Sequence, residues 1–228
     1  MTVSVRVANE NDCRSFFRMF NSCLTDSFKY ITTKSIIMIF NRVAICGSHS
    51  CGKTTLLQSL KKISVFEFHP VIHELAAKFD PKLRLTMETQ FRIMQQQAIA
   101  EKVYTKNYGK FLSDRSVVDN IAYSTLVSNN AINRDEKSKA IFKKCYALSY
   151  SHLHMLPQPY DLLIFVDEIL EYKEAPHRNF SDYKSQKFIY DFIKNEIETL
   201  NIPVVMVSGT NQQRIDSILD YISCNREV

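Results

Sequence analysis

Short apolar runs recur along the chain and predict the strands of a parallel sheet. Most of them are almost continuously apolar, which is typical of strands that are covered on both faces. The predicted strands are Ile37–Cys46, Ile63–Phe68, Lys110–Ser116, Tyr160–Asp167 and Ile202–Gly209.

Between these runs, apolar residues follow the spacing of helices that bury one face. A long helix is predicted from Met87 to Gly109, where glycine favours the left-handed C-cap. Further helices are predicted at 118–127, at 134–155 and from about 211 to 223. Three leucines on one face predict a helix after the first strand: Leu56, Leu57 and Leu60. The predicted core row of the long helix is Met87, Phe91, Met94 and Ala98.

Composition places few limits on this picture. The 228 residues are 45% hydrophobic and 23% charged, as in an ordinary globular domain. A net charge of +5 suits a polyanionic ligand but is too small to indicate nucleic acid by itself. Six scattered cysteines without a C-x-x-C pair indicate a reducing compartment, so we expect a cytoplasmic protein. No apolar run is long enough for a membrane span, and oligomeric state is left open.

The strand–helix alternation begins near residue 36. We therefore expect one domain over residues 36–228 and an N-terminal extension of unknown role over residues 1–35. Strands alternating with helices predict an α/β fold, in which a mostly parallel central sheet is flanked by helices in a three-layer sandwich.

The stretch "GSHSCGKT" carries the clearest chemistry. It matches G-x-x-x-x-G-K-[ST], the phosphate-binding loop of P-loop NTPases, between a predicted strand and a predicted helix. Lys53 is expected to reach the β- and γ-phosphates of ATP, and Thr54 to offer its hydroxyl to Mg²⁺. The predicted ATP-binding residues of this loop are Gly47, Ser48, His49, Ser50, Cys51, Gly52, Lys53, Thr54 and Thr55.

Polar residues follow other predicted strands, at the sheet edge where α/β proteins bind ligands. Asp114 is expected to hold Mg²⁺ or to accept a proton from an attacking hydroxyl, and Arg115 to neutralise phosphate charge. An N-cap beside a surface arginine is the alternative for this pair. Glu74 is expected to bind the acceptor, whereas Asp119 is left open between a substrate contact and an exposed helix carboxylate.

These residues resemble the P-loop kinase-type domains related to the nicotinamide riboside kinase domain of bifunctional NAD-synthesis regulators, a group similar to AAA-like ATPases. The resemblance covers residues 42–221 and includes Glu74, "DRSVVDNIAYS" and "VSGTNQQRI". It implies that Gly209 and Thr210 approach the adenine and that Arg214 packs on it.

The chain departs from the family on the acceptor side. The family often has a Glu followed three positions later by Arg, and here Ala77 stands at the place of that Arg. The lid keeps Arg178 but has Ala175 and Pro176 in place of the family's Asp-Gly. Arg178 is thus expected to hold transition-state charge, while the identity of the acceptor is not carried over.

A kinase fits these residues best. The guanine-reading N-K-x-D and the D-x-x-G of GTPases do not occur, and a ring-forming ATPase would need a second small domain. We predict Mg²⁺-dependent transfer of the ATP γ-phosphate to a nucleoside or nucleotide. Two alternatives stay open: transfer to a modified base within DNA, and a nucleotide-binding regulatory protein with little turnover.

Three weaker candidates are given structural interpretations. His152 and His154 are predicted to lie at the surface. The His49 side chain is expected to face solvent or the acceptor, and Cys51 to be a small packing residue rather than an oxidation switch.

Overall fold

The computed structural model describes residues 40–169 and 182–225. Within these ranges the strands form one parallel sheet in the order β2-β3-β1-β4-β5, with β1 at its centre. The strands are β1 (Arg42–Cys46), β2 (Val71–Ile72), β3 (Phe111–Asp114), β4 (Leu162–Val166) and β5 (Val204–Val207).

Helices connect successive strands and cover both faces of the sheet. The α-helices of the described ranges are α1 (Lys53–Leu60), α2 (Met87–Tyr108), α3 (Val117–Ser128), α4 (Glu136–Leu153), α5 (Tyr183–Thr199) and α6 (Asn211–Cys224). Short 3₁₀ helices lie at Leu75–Lys78, Leu83–Leu85 and Ala131–Asn133.

The central strand shows how the two faces are covered. Successive side chains of a strand point to opposite faces, so Val43 and Ile45 pack with α1 and α6, whereas Ala44 and Cys46 pack with α3 and α5. All four residues are completely buried. The predicted three-layer α/β sandwich is therefore confirmed. No helix in the described ranges has the length and apolar character that a bilayer span requires.

A third apolar cluster joins α2, α3 and α4 outside the sheet. Met87 and Met94 are completely buried in it, and Phe91 packs against it. The predicted core row of α2 is thereby confirmed, as is the left-handed cap at Gly109, where φ is 67°.

The predicted second strand at Ile63–Phe68 is wrong. This segment forms consecutive turns after α1, in which the Phe66 and Glu67 amides both donate to the Ile63 carbonyl. Phe66 is buried under the sheet while Phe68 is largely exposed. The strand follows Pro70 instead and has two residues, because only Val71 and Ile72 pair with β3.

Helix α5 was not predicted. Its buried residues Ile189, Ile193 and Ile197 recur every fourth position, which is a helical signal, and its N-cap Asp182 accepts a hydrogen bond from the Ser185 amide. The predicted N-terminal extension, residues 1–35, lies outside the described residues. That domain boundary therefore stays a prediction.

Candidate phosphate-transfer site

The loop between β1 and α1 needs its two glycines for backbone reasons. Gly47 has φ 148° and Gly52 has φ 92°, conformations that residues with a Cβ rarely adopt. A Cβ on Gly52 would lie 2.9 Å from Nη1 of Arg214, and one on Gly47 would lie 3.1 Å from Sγ of Cys51. Ser50 adopts φ 64° without being glycine, which adds local strain to the turn.

Lys53 lies inside this loop. Its side chain is buried, and Nζ donates to the carbonyls of Gly47 at 2.8 Å and Ser48 at 2.5 Å. Burial opposes the charged form, but the nearby acidic groups of Cys51 and Asp119 outweigh it and raise the pKa of Lys53. The ammonium is therefore charged, and it lies against the carbonyls of the loop.

The remaining loop residues divide between packing and exposure. Ser48 and Cys51 are completely buried, and Sγ of Cys51 donates to the Ser48 carbonyl at 3.0 Å. Burial of Cys51 agrees with its interpretation as a packing residue. Thr54 and Thr55 are exposed on the first turn of α1.

The Thr54 hydroxyl and the Asp114 carboxylate form the candidate metal site. Oγ1 of Thr54 donates to Oδ2 of Asp114 at 2.8 Å, which joins the first turn of α1 to the end of β3. The described residues contain no group of three or more His, Cys, Asp or Glu side chains suited to a metal. Two adjacent oxygen ligands fit Mg²⁺, which usually keeps several waters and is shared with substrate phosphates.

Glu74 and Arg115 form an ion pair beside this site. Nη2 of Arg115 lies 2.8 Å from Oε1 of Glu74, and the guanidinium lies over the Tyr123 ring, 4.8 Å from its centroid. The Arg115 charge is the main reason that the pKa of Glu74 is lowered. Burial lowers the pKa of Arg115, but Glu74, Tyr123 and Asp119 reverse this and raise it well above its usual range. Both groups are therefore ionised at neutral pH.

Asp119 is completely buried, so the expectation of an exposed helix carboxylate is wrong. Oδ1 accepts from the Gly47 amide at 3.2 Å, and Oδ2 accepts from the amide and hydroxyl of Ser116 in a capping box at the start of α3. Burial is the main cause that raises the pKa of Asp119. These bonds tie α3 to the phosphate loop. A substrate contact at Asp119 stays a prediction.

His49 is buried rather than turned to solvent, so that part of its prediction is wrong. Its Nδ1 lies 3.2 Å from the Tyr123 hydroxyl, and its carbonyl accepts from Nε2 of Gln186 at 2.9 Å. Tyr123 and Gln186 were both missed by sequence reasoning. For Tyr123 a signal existed, because it lies one helical turn after Asp119 on the same face of α3.

The loop after β5 is built around a helix start. Gly209 has φ 81°. The Thr210 hydroxyl accepts from the Gln213 backbone amide, and the Gln213 side-chain oxygen accepts from the Thr210 backbone amide at 2.8 Å, which forms a capping box for α6. A Cβ on Gly209 would lie 2.5 Å from Oε1 of Gln213. Proximity of Gly209 and Thr210 to an adenine stays a prediction.

Arg214 clamps three segments together. Its side chain is almost fully buried, Nη1 donates to the Cys51 carbonyl at 2.7 Å, and Nε donates to the Gly209 carbonyl at 3.0 Å. Nη2 pairs with Oε2 of Glu168, just after β4, at 2.5 Å. Sequence reasoning missed Glu168. The geometry gives Arg214 a role in holding the phosphate loop, and its packing on adenine stays a prediction.

His152 is buried, so its predicted surface position is wrong, whereas His154 is exposed as expected. Nε2 of His152 lies 2.6 Å from Oε2 of Glu101, inside the helical layer. Arg178 and the lid positions Ala175 and Pro176 lie outside the residues that the structure describes.

The chain belongs to the AAA domain family, whose model matches residues 42–214. Comparison with curated protein sequences found no significant match. Several solved structures share the fold at low sequence identity. A deoxyadenosine kinase from M. mycoides, with the products dCMP and dCDP bound, has a TM-score of 0.58 and 14% identity over 80% of this chain and 98% of its own.

Two further structures are similar. The NadR protein in complex with NR has a TM-score of 0.61 and 18% identity over 80% of this chain, which spans only 52% of NadR. A thymidylate kinase from Candida albicans has a TM-score of 0.56 and 18% identity over 82% of this chain and 92% of its own. The predicted P-loop kinase-type fold, including its relation to NadR, is confirmed.

Proposed function

We propose that this protein is a Mg²⁺-dependent phosphotransferase that moves the γ-phosphate of ATP to a nucleoside- or nucleotide-like acceptor. One observation carries the proposal. Two consecutive residues, Asp114 and Arg115, point to different partners, with Asp114 bonded to Thr54 on the phosphate-loop side and Arg115 paired with Glu74 on the other. A metal-side carboxylate and an acceptor-side ion pair thus lie next to each other at the carboxyl ends of neighbouring strands.

The kinase fold of the structural neighbours supports the same conclusion. They are a deoxyadenosine kinase, a thymidylate kinase and the NadR protein in complex with NR. Since these likenesses are below 25% identity, they support the proposal through the fold, and the nucleoside- or nucleotide-like acceptor is proposed by analogy with them.

Each residue has a role in the proposed reaction. Lys53 and the loop amides hold the β- and γ-phosphates, and Thr54 with Asp114 would hold Mg²⁺, which neutralises charge on the phosphates when bound. Glu74 orients the acceptor hydroxyl as a hydrogen-bond acceptor. Its lowered pKa makes it a weak base, which is sufficient because phosphoryl transfer depends mainly on positioning and charge. Arg115 stabilises negative charge on the phosphoryl group in flight. We assign the same charge-holding role to Arg178.

The test compares transfer with hydrolysis in one preparation. Purified protein is incubated with Mg²⁺, γ-labelled ATP and a panel of nucleosides, nucleoside monophosphates and DNA containing hydroxymethylated bases. We expect labelled acceptor to form faster than free phosphate with at least one small acceptor, and EDTA to stop it. Label on DNA alone would instead support the modified-base alternative.

Matched variants connect the activity to the site. Asp114→Asn is expected to lower kcat by about 10²–10⁴-fold while leaving ATP affinity within a few-fold. Asp161→Asn removes a carboxylate of the same type at the amino-terminal ends of β1 and β4, where it pairs with Arg42. This variant should leave kcat unchanged. If no acceptor alters phosphate release and Asp114→Asn hydrolyses ATP like the parent, the proposal fails. A nucleotide-binding protein with little turnover would then be the better description.

A further inference from the structure

A buried polar network lies beneath the turn that carries Arg115. We call its members the Glu101 network, which consists of Gln97, Glu101, Ser113, His152 and Tyr160, and every member is at most 4% exposed. They come from α2, β3, α4 and the segment before β4. Hydrogen bonds within a buried network of this kind hold the elements that it joins.

Glu101 is the centre of the network. Its Oε1 accepts from Nε2 of Gln97 at 2.7 Å and from the Tyr160 hydroxyl at 2.8 Å, and its Oε2 lies 2.6 Å from Nε2 of His152. Burial, and secondly Glu101, raises the pKa of Tyr160 well above its usual range. The hydroxyl therefore keeps its proton and donates a hydrogen bond to Oε1 of Glu101.

The network bonds to the backbone at two points, the Arg115 carbonyl and the Val117 amide. The Ser113 hydroxyl donates to the Arg115 carbonyl at 2.7 Å, and Nε2 of Gln97 lies 3.4 Å from the same oxygen. Two residues later, the Val117 amide donates to the Tyr160 hydroxyl at 2.9 Å. The first turn of α3 is thus anchored from below by buried side chains.

Arg115 needs such an anchor because its backbone is strained. Its φ is 102°, a conformation that residues with a Cβ rarely adopt and that persists only where the surroundings enforce it. This turn lets the Asp114 side chain bond to Thr54 while the next side chain bonds to Glu74. The conformation of one residue therefore determines the directions of both groups.

We propose that the Glu101 network is a positioning device for the phosphate-transfer site, and that Gln97 and Tyr160 are positioning residues that hold the Arg115 turn. The inference rests on the proposed function of Arg115 and Asp114. Neither positioning residue needs to touch a substrate, since each acts through the backbone of the turn.

Two variants remove the bonds while keeping side-chain size. Gln97→Met removes the amide that bonds to Glu101, Ser113 and the Arg115 carbonyl, and Tyr160→Phe removes the hydroxyl that bonds to Val117. We expect kcat for phosphate transfer to fall on the order of 10- to 100-fold, as for small misplacements of reacting groups. The KM for ATP should change by less than about twofold, because the phosphate loop keeps its own contacts.

Asn133→Leu is the matched control. Asn133 is also a buried amide, and its Nδ2 donates to the carbonyls of Leu85 and Val127 at 2.9 Å each, near the opposite end of α3. This variant should lower Tm as much as Gln97→Met does, yet keep kcat.

A second measurement does not depend on activity. Hydrogen exchange of the amides at 115–118 should be faster in Gln97→Met and Tyr160→Phe than in the parent or in Asn133→Leu. Unchanged exchange in both variants would overturn the positioning role, and so would a kcat that simply follows Tm across all three variants. If the parent transfers phosphate to no acceptor, the proposed function fails by itself, and the exchange rates then decide alone whether the network holds the turn.

Discussion

Replacing Arg214 by Met should weaken both folding and ATP binding, because the guanidinium ties the phosphate loop to two other segments. It donates to the carbonyls of Cys51 and Gly209 and pairs with Glu168. Methionine keeps most of the apolar stem in the same space, so the variant mainly removes these polar contacts.

The expected loss of stability can be summed from the three contacts. The Cys51 carbonyl loses a buried bond, and an unsatisfied buried acceptor costs about 1–3 kcal/mol. The bond to the Gly209 carbonyl adds about 0.5–1.5 kcal/mol. The Glu168 side chain is 28% exposed, so solvent screens the ion pair and its loss adds at most about 1 kcal/mol. The total of about 1.5–5.5 kcal/mol corresponds to a decrease in Tm of about 3–22 °C for a chain of this size.

The binding effect follows from the same anchor. The Cys51 carbonyl precedes Gly52, where a Cβ would lie 2.9 Å from Nη1 of Arg214. The guanidinium thus occupies the space that a side chain at this position would need. Without that anchor the loop amides are held less firmly, and we expect ATP affinity to fall about tenfold, or about 1.4 kcal/mol. Thermal unfolding without nucleotide and calorimetric titration with ATP measure the two effects separately.

Arg42→Met provides the control. Arg42 makes a comparable ion pair with Asp161 at the amino-terminal ends of β1 and β4, with Nη2 at 2.5 Å from Oδ1. Its loss should lower Tm but leave ATP affinity within about twofold. The reasoning is refuted if Arg214→Met unfolds like the parent and loses only ATP affinity, since that result would mean that Arg214 acts by packing on the adenine.

Four further results are expected. Lys53→Ala should lower ATP affinity about 10- to 100-fold, from the loss of charged hydrogen bonds worth about 1.5–3 kcal/mol, while circular dichroism shows an intact fold; parental ATP affinity would contradict the phosphate-loop assignment. Arg115→Ala should lower kcat if the guanidinium meets transition-state charge, and mainly raise the acceptor KM if it only holds a substrate phosphate; steady-state kinetics with the best acceptor distinguishes them. Because Arg115 lowers the folded-state pKa of Glu74, its ionised form adds stability above the unfolded pKa of about 4.3, and this is lost as pH falls through the folded value. Melting curves of Glu74→Gln and the parent should therefore differ by a constant amount from pH 7 to about pH 5, and the difference should shrink as pH falls below about 4.3, whereas a difference that does not change with pH would exclude the ion pair. Deleting residues 1–35 should leave a protein that binds ATP, and an insoluble or unfolded product would show that the segment belongs to the domain.

Features that depend on local sequence were predicted well. Gly47 and Gly52 meet the turn requirements of the phosphate loop within a few residues, and the core row of α2 repeats at helical spacing. Strand β2 was misplaced because its two residues are defined by pairing with β3 rather than by their own apolar pattern.

Features that depend on distant partners could not be predicted. His152 is buried because Glu101 lies opposite it, 51 positions earlier in the chain. Arg214 is engaged by the Cys51 carbonyl, 163 positions away. Both residues are polar and lie on helices, so their local patterns are those of surface positions. They are buried because α4 packs on α2 and because α6 packs on the phosphate loop.

The Arg115 turn connects the acceptor side of the site with the phosphate loop. Asp119, in the first turn of α3, accepts a hydrogen bond from the Gly47 amide at the start of the phosphate loop. The segment that carries the acceptor-side arginine therefore also positions the ATP-side loop. A substitution at Asp119 that removes its bond to the Gly47 amide should therefore affect the phosphate loop as well as the turn, whereas Gln97→Met and Tyr160→Phe leave that bond in place. The backbone of this turn is thus expected to tolerate almost no variation, because both halves of the site depend on it.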